Sequence, residues 1–389
     1  MRIIVLGGDG YLGWPTAMHF ARKGHEVVIL DNLSKRRMEE EVAGEPLFRR
    51  PTLQKRVRLW REVKFGREII LPKLNVLDIA SNYGALLDIL GEFKPQAIVH
   101  YAEQPSAPYS MISCARAVNT EVNNIAGTLN VLHAMKNVVP EAHLVKLGTM
   151  GEYGTPDIDI EEGWIDIEHK GRKARMLYPK QPGSFYHASK VADSVNIEFA
   201  CRVWGLRATD LNQGVVYGID TPETKLHPEL VTSFHYDAVF GTALNRFIVQ
   251  AVAGIPLTVY GKGGQKRGFL NIMDTLQCVE IAVMNPAKEG EFRVFNQFTE
   301  TFSVMELANL VSRVASKRGY KVSIDHIKNP RVEKEEHYYN AVNSALFSLG
   351  LKPHLLTEEV VDGMMQKAHL AVKDIDLSVI SPNVFWRRS

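Results

Sequence analysis

The sequence predicts an α/β protein: a doubly wound parallel sheet, followed by a smaller and more irregular C-terminal lobe. Three observations predict it. Short apolar runs alternate with stretches of helical periodicity from the first residues to about Leu211. The first run, Ile3–Leu6, breaks into Gly7-Gly8-Asp9-Gly10-Tyr11-Leu12-Gly13 and then into a helical pattern carried by Ala17, Met18, Phe20 and Ala21. The second run, Glu26–Leu30, ends on an acid, Asp31.

Each further element has its own reason. Buried-strand patterns recur at Leu74–Asp78, Ala97–Tyr101, His143–Gly148 and Arg207–Leu211. Between them Tyr83–Phe93, Thr120–Lys136 and Ser184–Trp204 are rich in helix formers at helical spacing. Two long interruptions stand out against ordinary connections. Asn32 to Pro72 is basic, with Lys35-Arg36-Arg37, Arg49-Arg50 and Lys55-Arg56-Val57-Arg58, and reads either as a solvated face or as a loop over an anionic ligand. Thr155–Gly183 holds the alternations Ile158-Asp159-Ile160 and Ile165-Asp166-Ile167, which predict a β-hairpin able to wall a site. Beyond Tyr217 the alternation lapses, Pro and Gly become frequent, and some chain returns to the sheet near Arg267–Asp274.

Composition narrows the class. The 389 residues exceed one common domain, and 46 Lys+Arg against 44 Asp+Glu give a net charge of +2. That balance offers no bulk attraction for nucleic acid or an anionic membrane, so any anionic ligand must be met locally. Cys114, Cys201 and Cys278 are too few and too scattered for a disulfide framework. With no membrane-length apolar run and no signal-peptide core, the expectation is a cytoplasmic protein.

Gly7, Gly10 and Gly13 form G-x-x-G-x-x-G between a strand and a helix, the turn that brings a pyrophosphate against backbone amides at a helix N-terminus. Asp31 at the end of the second strand accepts from ribose hydroxyls and repels a 2′-phosphate, which predicts NAD over NADP. Lys35 and Arg36 speak for the opposite choice. Tyr11, Asn32, Ser34, Asn119, Tyr186, Lys190 and Gln213 are further candidate cofactor contacts, and Asp78 suits an adenine edge or a simple helix cap. Tyr186 and Lys190 stand four residues apart on one helix face, where an ammonium and an oxidised nicotinamide favour the phenolate of a general base. Thr149, just past the preceding strand, supplies a hydroxyl for Tyr186 and a substrate alcohol.

These motifs together resemble the extended short-chain dehydrogenase/reductases, which act mostly on nucleotide-activated sugars. The resemblance implies a Rossmann domain over residues 1–216 with return of chain near 265–285, and a lobe over 217–389 that binds mainly the UDP-sugar. The dehydratase branch continues its catalytic Thr as Thr-Asp-Glu, whereas this chain reads Thr149-Met150-Gly151-Glu152-Tyr153-Gly154. That run, with Thr209–Gly218, Phe240–Phe247, Tyr260–Gln265 and Phe295–Glu300, resembles a branch that joins sulfite to UDP-glucose. Its plant members carry Arg where this chain has Pro105. The resemblance implies NAD recycled within one cycle, UDP-glucose and sulfite as substrates, and a homodimer. With the Asp-Glu pair missing, acid and base for the elimination fall to Tyr186, His187 or Glu152. His187 is otherwise a structural histidine, and Glu152 otherwise a buried acceptor for backbone NH groups. Arg267 and Arg331 are the candidate diphosphate cations, each also readable as a surface ion pair. Gln104, Gln213, Thr242 and Gln265 complete the substrate candidates. His337 beside Glu335-Glu336 lacks H-E-x-x-H spacing, so no metal is expected. A 4-epimerase or 4,6-dehydratase is the within-fold alternative, and a non-catalytic nucleic-acid binder the alternative of another class.

Overall fold

The computed structural model describes residues 1–72, 76–334 and 337–387. A seven-stranded sheet forms its centre: β1 (Arg2–Leu6), β2 (Glu26–Leu30), β3 (Ile69–Ile70), β4 (Ala97–His100), β5 (His143–Thr149), β6 (Arg207–Gln213) and β7 (Phe292–Gln297). Their order is β7-β6-β5-β4-β1-β2-β3, and every pairing is parallel. Residues 3–6 are at most 1% exposed, because helices cover both faces and leave no polar side to the inner strands. One apolar core joins Ile3, Val5, Trp14 and Val99 with the helix Ile272–Met284, and the other joins Ile4, Leu86, Leu132 and Ile197 across the sheet. The register aligns Leu6 with Leu30 and His100, His100 with Lys146, and Thr149 with Gln213. All the functional strand ends therefore open on one edge.

The helix Phe185–Trp204 starts where the Ser184 hydroxyl accepts from His187 N and stops at Gly205, whose φ of 71° closes the last turn. The C-terminal half returns to the sheet through Phe292–Gln297, which pairs with β6. The stretch Lys266–Asn271 joins instead a separate three-stranded sheet with Val215–Tyr217 and Glu300–Ser303. Around that sheet the helices Ala243–Ala253, Val304–Lys317 and Glu358–Leu370 bury Phe247, Leu307 and Met365 in a core of their own.

Three expectations need correction. The strand expected at Leu74–Asp78 falls partly outside the described residues, and Val76 to Asp78 are not strand; Ile69–Ile70 takes the sheet edge beside Val27 and Val28. The hairpin is Trp164–His169 paired with Arg172–Leu177, turned at Lys170 and Gly171, both at positive φ. It is exposed and lines no part of the main cavity. The basic insert is not an open loop. It folds as two helices, Ser34–Glu41 and Leu53–Val63, with Arg37, Arg49 and Arg58 on a solvated face and Arg36, Arg50 and Arg56 turned inward: Arg36 Nε lies 2.7 Å from Asp9 Oδ2, Arg56 pairs with Asp9, and Arg50 with Glu39.

Candidate active site

A cleft of about 440 Å³ opens at the carboxyl ends of β1, β2, β4, β5 and β6, where an open α/β sheet binds its ligands. Its floor is the glycine turn. Gly7 has φ 84° and a Cβ there would stand 2.7 Å from Tyr101 C; a Cβ on Gly13 would stand 2.0 Å from Gly7 O. These positions close the backbone on itself and aim the helix Gly13–Arg22 at the cavity, while Gly10 keeps its outer side open. Asp31 accepts from Asp9 N at 2.8 Å and Leu33 N at 2.7 Å and lines the cleft; burial and the charge of Asp9 push it up to about 6. The cradle and the acidic strand end fit NAD. The opposing cations are otherwise engaged: Lys35 lines the cleft with its ammonium 3.0 Å from Glu39 and 3.2 Å from the Phe240 ring centroid, and Arg36 turns to Asp9 and Pro51 O. Arg36 is thus a strut of the glycine loop and not a cofactor contact.

Other predicted contacts divide the same way. Tyr11, Asn32, Ser34 and Gln213 line the cleft. Asp78 does not; its carboxylate accepts from Ala80 N at 3.0 Å in a local turn. Asn119 is exposed on the helix Cys114–Glu121, one turn short, and Asn123 lines the cleft in its place. Gln104 is buried and donates to Thr120 Oγ1 at 2.9 Å and Ser106 O at 3.0 Å, so it shapes the loop after β4 without facing a substrate.

The reactive residues converge as their spacing implies. Thr149 ends β5, and its hydroxyl bonds Tyr186 and accepts from Gly151 N at 3.1 Å. Lys190 donates to Leu147 O at 2.6 Å with its Nζ 5.8 Å from the Tyr186 ring centroid. Lys190 is also paired with Glu103, a residue sequence reasoning passed over. Among this chain's own groups, burial, and next the charge of Glu103, push the Tyr186 pKa above its ordinary value, while Lys146 and the Thr149 hydrogen bond pull it down.

His187 lines the cleft, its Nδ1 3.0 Å from Ser184 Oγ, and burial lowers it to about 4. A Cβ on Gly151 would stand 2.3 Å from His187 Nε2. The imidazole therefore fills the space beside position 151 that the second acid of Thr-Asp-Glu would need, and Met150 packs with Tyr153, Tyr178 and Phe298. Glu152 is no longer a candidate acid or base: fully buried off the cleft, it pairs with Lys180 and accepts from Ser194 Oγ at 3.0 Å and Thr149 N at 3.3 Å.

A second cavity, about 220 Å³, continues from the first past Arg331, Gly241 and Val215. Thr242, Gln265 and Arg267 line it with Arg246, which lies in the Phe240–Phe247 run, and Trp386, which no sequence motif signals. Arg331 stands 5.6 Å from the Trp386 ring centroid and Arg246 4.3 Å from that of Tyr260. Arg267 is paired with Glu333, which leaves Arg331 the cation facing both cavities. Among the described residues no three His, Cys, Asp or Glu side chains gather as metal ligands, and no helix is long and apolar enough to cross a membrane; Glu335 and Glu336 lie outside the described residues.

A glycine cradle, an acidic second strand end and a Thr-Tyr-Lys set define a nucleotide-sugar enzyme of the reductase type, and the chain belongs to the NAD dependent epimerase/dehydratase family, whose model matches residues 3–296. Within it, the chain is 54% identical over 387 residues to the chloroplastic UDP-sulfoquinovose synthase of Spinacia oleracea, covering 100% of this chain and 79% of that protein. It is 45% identical over 394 residues to the UDP-sulfoquinovose synthase of Sulfolobus acidocaldarius, covering 100% and 98%. The fold is also that of a Thermotoga maritima UDP-glucose 4-epimerase solved with UDP-glucose, at TM-score 0.68 and 19% identity over 94% of this chain and 98% of that one.

Proposed function

We propose that this chain makes UDP-sulfoquinovose from UDP-glucose and sulfite. The observation that carries the reading is identity of 54% and 45% to two synthases along the whole of this chain, joined to a reactive set in which His187 fills the space a side chain at position 151 would need. NAD would be held by the glycine turn, Asp31, Asn32 and Ser34, and when bound it supplies reversible hydride acceptance at the sugar C4, with no net redox change.

Tyr186 takes and later returns the proton of the 4-hydroxyl, with Thr149 sharing that hydrogen bond and Lys190 placed behind the ring. A ketone at C4 acidifies the C5 hydrogen, and loss of that proton with the 6-hydroxyl leaves an alkene for sulfite. The sulfur lone pair of sulfite forms the new bond at C6, C5 regains a proton, and the 6-oxygen departs as water; one proton is taken up overall. His187, neutral and facing the cleft, is the residue we assign to this elimination: with Tyr186 holding the 4-hydroxyl proton, the imidazole takes the C5 proton and passes it to the departing 6-oxygen. The diphosphate lies by Arg331 and the uridine in the second cavity with Thr242, Gln265 and Arg246. Arg267, engaged with Glu333, serves there as a wall. Pro105 lines the cleft without charge, so Arg331 has no help from that position.

Purified protein incubated with UDP-glucose and sulfite is expected to yield UDP-sulfoquinovose by mass spectrometry, and neither substrate alone is expected to turn over. Conversion of UDP-glucose to UDP-galactose or to a free 4-keto-6-deoxy sugar without sulfite would establish the epimerase or dehydratase reading instead. The three cysteines, all free, support a reducing compartment such as the cytoplasm.

Two copies are expected to associate. Val118 and Val122 form one exposed stripe, and Val195, Phe199 and Val203, four residues apart on the neighbouring helix, form another, each side chain 48–57% exposed. Light scattering is expected to read a dimer and Phe199→Asp a monomer; a monomeric wild type at micromolar concentration removes the proposal.

A further inference from the structure

Lys190 does not face Tyr186 as an unopposed ammonium. Glu103, in the loop after β4, has a side chain only 2% exposed, yet it lines the cleft and is ion-paired with Lys190, which also donates to Leu147 O at 2.6 Å. Among the described residues neither Glu103 oxygen has a hydrogen bond beyond that ion pair. His100 Nε2 stands 3.9 Å from it on the β4 side. Behind Lys190, Lys146 from β5 holds its ammonium 3.7 Å from Asp193 Oδ2, and the Ser194 hydroxyl lies between Asp210, at 2.7 Å, and Glu152, at 3.0 Å. The charged groups around the Tyr186 hydroxyl are therefore Glu103, Lys190, Lys146 and Glu152, with Asp193, Asp210 and His100 in the layer behind.

The chemistry of the proposed reaction needs Tyr186 as a phenolate for part of the cycle, and a carboxylate beside Lys190 opposes that. A tyrosine and an ammonium alone reach net zero charge by losing one proton; with Glu103 present the trio is already neutral with the phenol intact. We propose that Glu103 is a positioning residue of the reaction centre: its carboxylate anchors Lys190 against the end of β5 and holds the Tyr186–Lys190 pair in its protonated form, so that the pair releases its proton at a higher pH than it would alone. The proposal rests on reading Tyr186 and Lys190 as the reacting pair. Because such a pair titrates as a unit, the shift belongs to the pair whichever atom loses the proton.

The test uses Glu103→Gln and Glu103→Asp, each with and without Tyr186→Phe, in the full chain at equal NAD content. Ultraviolet difference absorbance between each protein and its counterpart carrying Tyr186→Phe isolates the Tyr186 phenolate, and the pH profile of kcat/KM gives the acid limb. Glu103→Gln is expected to move both down by about 1 unit or more, the size of effect a neighbouring charge exerts. Glu103→Asp, which keeps the charge, is expected to stay near wild type. Equal, unshifted profiles in both variants, with only the plateau lowered, overturn the proposal. If Glu103→Gln does not fold, the wild type decides: a Tyr186-dependent phenolate signal well below pH 10 overturns the proposal, and its absence there supports it. The absorbance reading needs neither sulfite nor product, so failure of the synthase reading leaves it standing or falling by itself.

Discussion

Tyr186→Phe is expected to lower kcat by about 10²- to 10⁴-fold, the range a positioned acid–base group contributes, while the protein keeps its NAD. The variant loses one oxygen. That oxygen is the partner of Thr149, and the Lys190 ammonium, ion-paired with Glu103, stands 5.8 Å from the centroid of the ring that carries it. NAD retention is expected because the glycine turn, Asp31 and their neighbours lie at other strand ends and are untouched. Turnover by coupled mass spectrometry and bound nucleotide after denaturation measure the two halves separately. Wild-type kcat in the variant would remove Tyr186 from the mechanism, and loss of NAD would make its role one of binding.

Glu152→Ala is expected to destabilise the fold by about 3–5 kcal/mol, the usual effect of removing one member of a buried ion pair. Lys180, almost fully buried, would lose its carboxylate, and Ser194 and Thr149 N would lose an acceptor. The Lys180 ammonium and the neighbouring Lys146 charge hold Glu152 below its ordinary pKa despite burial, so at neutral pH the native state keeps it as the anion those partners require. Urea unfolding measures the loss. Changing both residues, Glu152→Gln with Lys180→Met, is expected to recover part of it, because no unpaired charge then remains buried. A variant of unchanged stability with abolished turnover would return Glu152 to the chemistry.

What the sequence made legible is what short stretches determine. The glycine turn, Asp31 and the Tyr186/Lys190 face each depend on a few consecutive residues, and the structure places the turn, Asp31 and Tyr186 on one cleft with Lys190 buried behind Tyr186. Glu103 could not be read, because its meaning lies in Lys190, far along the chain; the sequence pointed to Gln104 next to it, which supports the loop instead. Arg36, Arg50 and Arg56 looked like a charge run because one-dimensional reading cannot tell an arginine facing water from one facing Asp9. Asn119 and Asn123 are one helical turn apart, and only the angle at which the helix crosses the cleft chooses between them. The strand Phe292–Gln297 was hidden for a similar reason: its apolar pattern is short, and its partner β6 precedes it by a whole lobe.

The glycine fingerprint is the most local feature of the sequence, yet its supports are remote. Asp9 is held by Arg36 and Arg56, 27 and 47 positions downstream; the Tyr11 hydroxyl donates to Gly218 O at 2.7 Å, and Trp14 Nε1 to Leu230 O at 3.2 Å, 207 and 216 positions away. Contacts of such separation form late, after the loops between them have closed. A nascent chain that has not yet emerged past Leu230 thus displays the dinucleotide motif without all of the struts that shape it, and the last of them are supplied by the first residues of the second lobe.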